Sequence, residues 1–160
     1  MELDSIDLKI LKELQTNSKI TNAELAQRVH LSPSPCLARV KRMESCGVIQ
    51  NYVALLNSLT LGLHLNVFIF ISLKAQSRRF LQDFEDRICT HDEVMECYLM
   101  TGDADYLIRV AMPDVGALER FIVDHLSPMP EIEKIRSSFA LKQVRYKTAL
   151  PLTAARNTYQ

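Results

Sequence analysis

The 160-residue sequence has no tryptophan, only four glycines and six prolines, and no excess of either charge, since 19 Lys and Arg meet 19 Asp and Glu. Such low Gly and Pro exclude collagen-like and low-complexity chains. Zero net charge excludes a histone-like polycation but leaves the layout of the charges open. No apolar run approaches the roughly 18 to 20 residues of a membrane-spanning helix, and the opening MELDSIDLKIL is acidic and amphipathic, unlike a secretory signal. A cytosolic protein is therefore expected. The four cysteines, Cys36, Cys46, Cys89 and Cys97, form no Cys-x-x-Cys pair, and a chain of this length builds a core without staples, so reduced thiols are expected. What the sequence has is 48% hydrophobic and 24% charged residues, the balance of one folded domain or two small ones.

The charges are unevenly placed. Between Glu24 and Glu44 there is no carboxylate, while Arg28, Arg39, Lys41 and Arg42 fall there with His30 as a further potential cation, so the window carries +4. Such a run is commonly a solvated helix face. Its surroundings decide the matter.

Leu3 to Leu8 reads as a helix start: Asp4 caps, Asp7 adds negative charge to the first turn, and Leu3 and Leu8 have staple spacing. Ile6, Ile10, Leu11 and Leu14 give its apolar stripe, which ends between Gln15 and Ser18. Thr21-Asn22-Ala23-Glu24 is a capping box that opens a short helix over about 21–29. A third helix starts with Ser32 as cap and Pro33 at its first position, runs to about Cys46, and stops at Gly47 in the left-handed conformation. A short helix, a tight turn and a longer helix have the dimensions of a helix-turn-helix. At about 100° per residue, Leu37, Val40, Met43 and Glu44 share the side expected to pack, and Ser34, Pro35, Ala38, Arg39 and Arg42 the side expected to be free. That free side suits a major groove, because small residues permit close approach, Ser bonds phosphate or a base edge, and Arg forks onto guanine. Ser34, Arg39 and Arg42 are accordingly assigned to base or phosphate contacts. Ser32, Pro35 and Ala38 line the approach, and Thr21, Arg28 and Lys41 hold the DNA backbone. Removing Arg39 is expected to weaken DNA binding without lowering thermal stability. Val48 to Leu56, rich in β formers, reads as a wing or connecting strand. The first domain thus spans 1–56 and a connector 57–63.

Leu65, Val67, Ile69, Ile71 and Leu73 alternate with Asn66, Phe68, Phe70 and Ser72, the period of a strand. Phe80, Leu81, Phe84 and Ile88 switch to helical spacing. Val94 to Met100 and Tyr106 to Met112 read as strands joined by the turn residues Thr101 to Asp105. Val115, Leu118, Phe121, Ile122, His125 and Leu126 return to the helical period. Ile132 to about Tyr146 reads as a last strand, with a bulge near Ser137-Ser138. The order βαββαβ makes the chain α+β, with a ferredoxin-like sandwich over 64–150 and a tail at 151–160. One sheet face would be bare and would carry Phe68 and Phe70, so a dimer formed sheet to sheet is expected. Two recognition helices then suit two half-sites of pseudo-palindromic double-stranded DNA.

LDSIDLKILKELQ, TNAELAQRV and LSPSPCLARVKRMESCGVIQNY resemble the DNA-binding domain of the Lrp/AsnC (feast/famine) transcriptional regulators, and TGDADYLIRV with the βαββαβ order resembles their amino-acid-sensing domain. The match covers roughly residues 3 to 150, and Ser34-Pro35-Cys36 resembles a branch carrying Thr-Pro-Cys at the start of the recognition helix. The resemblance implies a homodimer assembling further, up to an octamer (a tetramer of dimers), in a bacterial or archaeal cytosol and associated with the nucleoid. It implies no cofactor other than an amino-acid effector, for which leucine, methionine and cysteine are candidates, held between C-terminal domains. The family's Gly-x-x-Asp-Tyr turn falls on Gly102, Asp103, Ala104, Asp105 and Tyr106, preceded by Thr101, and the strand facing it falls at Ser137 and Ser138. Tyr98 is assigned to the same site. The chemistry is consistent with this, since an ammonium group seeks carboxylates such as Asp103 or Asp105 and a ligand carboxylate seeks N–H groups around Gly102.

Other classes find less in the sequence. His30, His64, His91 and His125 are scattered, Cys89-x-His91 offers two ligands where a structural zinc takes four, and there is no Gly-x-Ser-x-Gly elbow, phosphate loop or His-Glu-x-x-His. No metal site and no catalytic residue are expected. Two alternatives stay open: a stand-alone amino-acid-sensing module acting on an enzyme, and a regulator using Cys36 as a thiol sensor, its pKa lowered by a helix N-terminus and nearby arginines.

Overall fold

The computed structural model describes residues 2–152, so the tail expected at 151–160 lies outside the described residues from position 153 onward. The described residues form two compact units, one from residues 2–54 together with 145–152, the other from Leu55 to Val144. The segment after Arg145, grouped with the second domain on sequence grounds, thus returns to the first unit, where Leu150 N–H donates to Gln15 Oε1 at 2.6 Å and Leu152 packs on the core.

The first unit holds α1 (Ser5–Thr16), α2 (Asn22–Arg28) and α3 (Pro33–Ser45). Local chemistry sets their ends. Asp4 Oδ1 accepts the Ile6 and Asp7 N–H groups, both at 2.8 Å, while Asp7 Oδ2 accepts the Asp4 N–H at 3.1 Å, a reciprocal cap that satisfies donors the helix leaves orphaned. Thr21 and Glu24 form the same box on α2. Ser32 stands at the N-cap of α3 but its side chain makes no capping bond. Gly47, at φ +72°, ends α3, with its N–H on Glu44 O at 3.0 Å and the Val48 N–H on Met43 O at 2.9 Å, a Schellman motif. His30 does the same for α2 at φ +58°, with His30 N–H on Gln27 O at 3.2 Å and Leu31 N–H on Ala26 O at 2.9 Å. A non-glycine residue therefore makes the tight turn between α2 and α3.

Ile10, Leu11, Leu25, Ala26, Val29, Cys36, Val40 and Met43 form this unit's core. The face expected to pack on α3 is corrected here. Cys36, Val40 and Met43, at i, i+4 and i+7, are buried, whereas Leu37 is 42% exposed and Glu44 is exposed. The stripe thus begins at Cys36, which is fully buried, and not at its neighbour Leu37. Val48 to Leu56 forms no strand: Ile49 N–H bonds Met43 O at 3.1 Å, and β propensity without a partner strand builds nothing.

The second unit is a four-stranded antiparallel sheet in the order β2-β3-β1-β4, with β1 (Leu65–Leu73), β2 (Val94–Leu99), β3 (Tyr106–Met112) and β4 (Ile132–Phe139), and with α4 (Arg78–Ile88) and α5 (Val115–Arg120) continuing into a π-helical segment (Phe121–Leu126). Val67, Ile69, Ile71, Leu73, Tyr106, Ile108, Val110 and Met112 pack their sheet face on Phe84, Ile88, Leu118, Phe121 and Leu126 of the helices. This is the expected ferredoxin-like sandwich. Three details differ from the sequence reading. The register shift lies between Ser72 and Leu73, leaving Glu133 unpaired at the start of β4, while Ser137 and Ser138 sit in regular register opposite Ile69 and Phe68. β4 stops at Phe139 rather than near Tyr146, because after Ala140 N–H bonds Asn66 O the partner strand β1 has ended. The last helix slips from α to π geometry and buries Phe121 and Leu126, five residues apart.

Candidate nucleic-acid interface and ligand turn

Each arginine of the acid-free window meets a carboxylate of α1. Arg28 Nη1 donates to Glu13 Oε2 at 2.8 Å. Arg39 Nη1 donates to Asp4 Oδ2 at 2.6 Å and to Asp7 Oδ1 at 2.8 Å, and Arg42 Nη2 to Asp7 Oδ2 at 2.7 Å. The Asp7 side chain is 1% exposed, so these are charge-assisted bonds to a desolvated carboxylate. The Asp7 backbone N–H, aided by Arg39, holds the Asp4 carboxyl at about 2, and the two carboxylates push the Arg39 guanidinium upward. The expectation that Arg39 lies free and bears on DNA alone is corrected: it is a structural partner of a buried carboxylate, and its loss must also cost stability. The pairs span 32 and 35 residues, a separation at which no local pattern signals contact.

With the stripe Cys36, Val40 and Met43 packed inward, helical geometry centres the opposite face of α3 on Ser34, Ala38, Lys41 and Ser45, all exposed. Lys41 makes no ion pair among the described residues. Ser32 and Pro35 are exposed at its N-terminal end. The Thr21 hydroxyl is occupied by the capping box, donating to Glu24 Oε2 at 2.9 Å. Cys36 is fully buried and burial pushes its thiol up, the reverse of the lowered pKa that a thiol sensor needs.

In the second unit the hairpin between β2 and β3 turns at Gly102, whose φ of +121° favours glycine. Thr101, Gly102 and Asp103 are exposed and Ala104 is half-buried. Asp105 is buried and already engaged: Oδ2 accepts the Leu73 N–H at 2.7 Å and Oδ1 accepts Gln76 Nε2 at 2.6 Å. It ties the hairpin to the end of β1, and each of its oxygens already accepts one hydrogen bond from the chain. Tyr106 also points inward. Its hydroxyl donates to Glu85 Oε1 at 2.6 Å, its ring lies 4.6 Å from Phe84, and burial with the Glu85 carboxylate pushes its phenol far up. Tyr98 is exposed and donates to Glu96 Oε2 at 2.9 Å. Glu96 in turn is held below the usual carboxylate range by Arg109, at 2.6 Å.

Ser137 and Ser138 lie on β4, across β1 from the hairpin, facing opposite sides of the sheet. Within one chain the fold therefore gathers Thr101 to Asp105 at one end of the sheet and keeps the two serines apart from them. A cleft of about 370 Å³ opens elsewhere, between α4 and the π-helical segment, lined by Asp86, His91, Asp124 and His125 among others. It includes none of the residues assigned to the effector. Among the described residues no three His, Cys, Asp or Glu side chains are placed to hold a metal ion.

Residues 3–50 match the family described as winged helix-turn-helix DNA-binding, and residues 66–150 the one described as Lrp/AsnC ligand binding domain. The Bkd operon transcriptional regulator of Pseudomonas aeruginosa is 43% identical over 151 residues, covering 94% of this chain and 99% of that one. The leucine-responsive regulatory protein of Escherichia coli is 38% identical over 149 residues, covering 93% and 91%. A transcriptional regulator of Neisseria meningitidis, solved as a complex with L-Met, superposes with a TM-score of 0.90 at 39% identity, covering 95% of this chain and 98% of that one. A helix-turn-helix with an open recognition face, a βαββαβ sandwich, and relatives alike over both units converge on one assignment: the chain belongs to the Lrp/AsnC family of transcriptional regulators.

Proposed function

We propose that this protein is a sequence-specific transcriptional regulator whose DNA affinity or assembly responds to an amino acid. The observation that carries the reading is the exposed α3 face of Ser34, Ala38, Lys41 and Ser45, small enough for a major groove, in the same chain as a ligand-binding domain. Ser32 and Pro35 flank this face, and Thr21, Arg28, Arg39 and Arg42 act around it within the pairings described. The relatives named for leucine and solved with L-Met support an apolar amino acid. Asp103 and the N–H groups of the Gly102 turn are its proposed ammonium and carboxylate partners, with Tyr98 on the strand that enters the turn, and Ser138 joins them from a second copy. The sheet face opposite the helices, with the half-buried Phe68 and Phe70, is the proposed dimer surface, with octamers built from such dimers in the cytosol. No cofactor beyond the amino acid is invoked.

A thermal-shift screen of the twenty amino acids, then fluorescence anisotropy on a duplex from the gene's own upstream region, tests this. A single stabilising amino acid that alters duplex affinity at fixed salt is expected. Absence of duplex binding at any salt overturns the DNA reading. Duplex binding indifferent to every amino acid overturns the effector reading alone.

A further inference from the structure

We propose that Asp7 is a positioning residue that sets DNA specificity: from α1 it fixes Arg39 and Arg42 at one edge of α3, so that neither guanidinium is free to follow phosphates of arbitrary sequence. The inference rests on the DNA-binding reading above.

Asp7 spends both oxygens on these two arginines, at 2.8 and 2.7 Å, and Asp4 adds a second carboxylate to Arg39 at 2.6 Å. Asp7 is 1% exposed, while Arg39 and Arg42 keep 26% and 47% of their side chains in solvent. That asymmetry determines where the arginines stay. An arginine that left for a surface phosphate would exchange a desolvated carboxylate for a salt-screened one and strand a buried charge. The donors not spent on Asp7, Arg39 Nε and Nη2 with Arg42 Nε and Nη1, therefore point in directions chosen by the protein. A duplex must fit them, as in any pre-organised site.

Charge counting gives the same picture. Glu13, Asp4 and Asp7 offset Arg28, Arg39 and Arg42, and Lys41 remains as the mobile cation of the window. Sequence-blind binding is driven by mobile cations that displace counterions from phosphates. The clamp removes two arginines from that pool.

The test measures binding to a duplex of scrambled sequence across a salt series, using the full-length chain. Asp7→Asn is expected to raise scrambled-duplex affinity by about threefold to tenfold at low salt and to steepen the slope of log K against log salt by about one to two, with a lower ratio of operator to scrambled affinity. A merely structural loss would weaken both duplexes and steepen nothing. Should Asp7→Asn fail to fold, two surface variants decide: Lys41→Gln is expected to flatten the slope by about one and Arg42→Gln to leave it unchanged. An unchanged slope in folded Asp7→Asn, or equal flattening by Arg42→Gln and Lys41→Gln, overturns the proposal. If the unaltered protein binds no duplex, the DNA-binding reading fails and takes this inference with it.

Discussion

Asp7 illustrates how much one side chain can do that its neighbours in sequence do not reveal. Its place in the first turn of α1 is legible, because a carboxylate three residues after an N-cap aspartate has an obvious use. Its bonds to Arg39 and Arg42 are not, since they depend on how α3 crosses α1. A consequence at this scale concerns Arg39→Ala, which leaves Asp7 buried with Arg42 alone. We expect a loss of about 1 to 3 kcal/mol, read as a lower urea midpoint with an unchanged slope. Asp4 gives the same cluster a pH signature. Its carboxyl is held at about 2 in the folded chain, below an unfolded value near 3.9. A depressed carboxyl adds stability that is complete above the unfolded value and is lost as pH falls through the folded one. The acid limb between about pH 4 and pH 2 should therefore flatten in Asp4→Asn, which still caps the helix. Asp105 and Tyr106 teach the complementary lesson. Their positions in the turn motif are legible, but the bonds to the Leu73 N–H and Glu85 that already occupy them come from distant strands and helices.

At the scale of elements, ends are easier to read than middles. The capping boxes at Asp4 and Thr21, Pro33 at the start of α3 and the Gly47 stop all follow from residues within four positions of one another. His30 escapes such reading because only a few per cent of non-glycine residues take a positive φ, and its neighbours carry no glycine signal. Two Schellman turns built on different residues offer a matched comparison. Gly47→Ala forces a Cβ into the left-handed region and should cost about 1 kcal/mol, whereas His30→Gly relieves that conformation and should be neutral or gain a few tenths. Thermal melts of the two variants check this, and equal destabilisation would contradict the assignment of both turns. The face of α3 was harder to read, because Cys36 and Leu37 both qualify beside Val40 and Met43. Only packing selects the smaller. One strand alone does not locate the bulge for a similar reason, since register is a property of two strands and Glu133 is extra only relative to β1.

At the scale of the whole molecule, the order of elements was legible because periods of two and of 3.6 alternate cleanly after Leu65. What sequence pattern does not supply is the return of the chain after Arg145 to the first unit. The sheet face opposite the helices carries Phe68 and Phe70, the latter beneath Arg136 at 4.7 Å, with the Arg109–Glu96 pair beside them. If the proposed dimer buries this face, Phe68→Arg places a cation against Arg109, its cross-strand partner, and should yield monomers by light scattering while circular dichroism stays unchanged. Dimers that persist would move the interface elsewhere.

The slip of the last helix into π geometry has a consequence of its own. Phe121 and Leu126 both reach the core although five residues separate them, and in an α-helix the residue one turn beyond Phe121 would be His125. The slip turns His125 outward, against His91 at 4.6 Å between rings. The helix thus contains two phases joined by what amounts to one surplus residue, and it is here, rather than anywhere in α4, that the fold can shed a single position and keep its apolar stripe continuous.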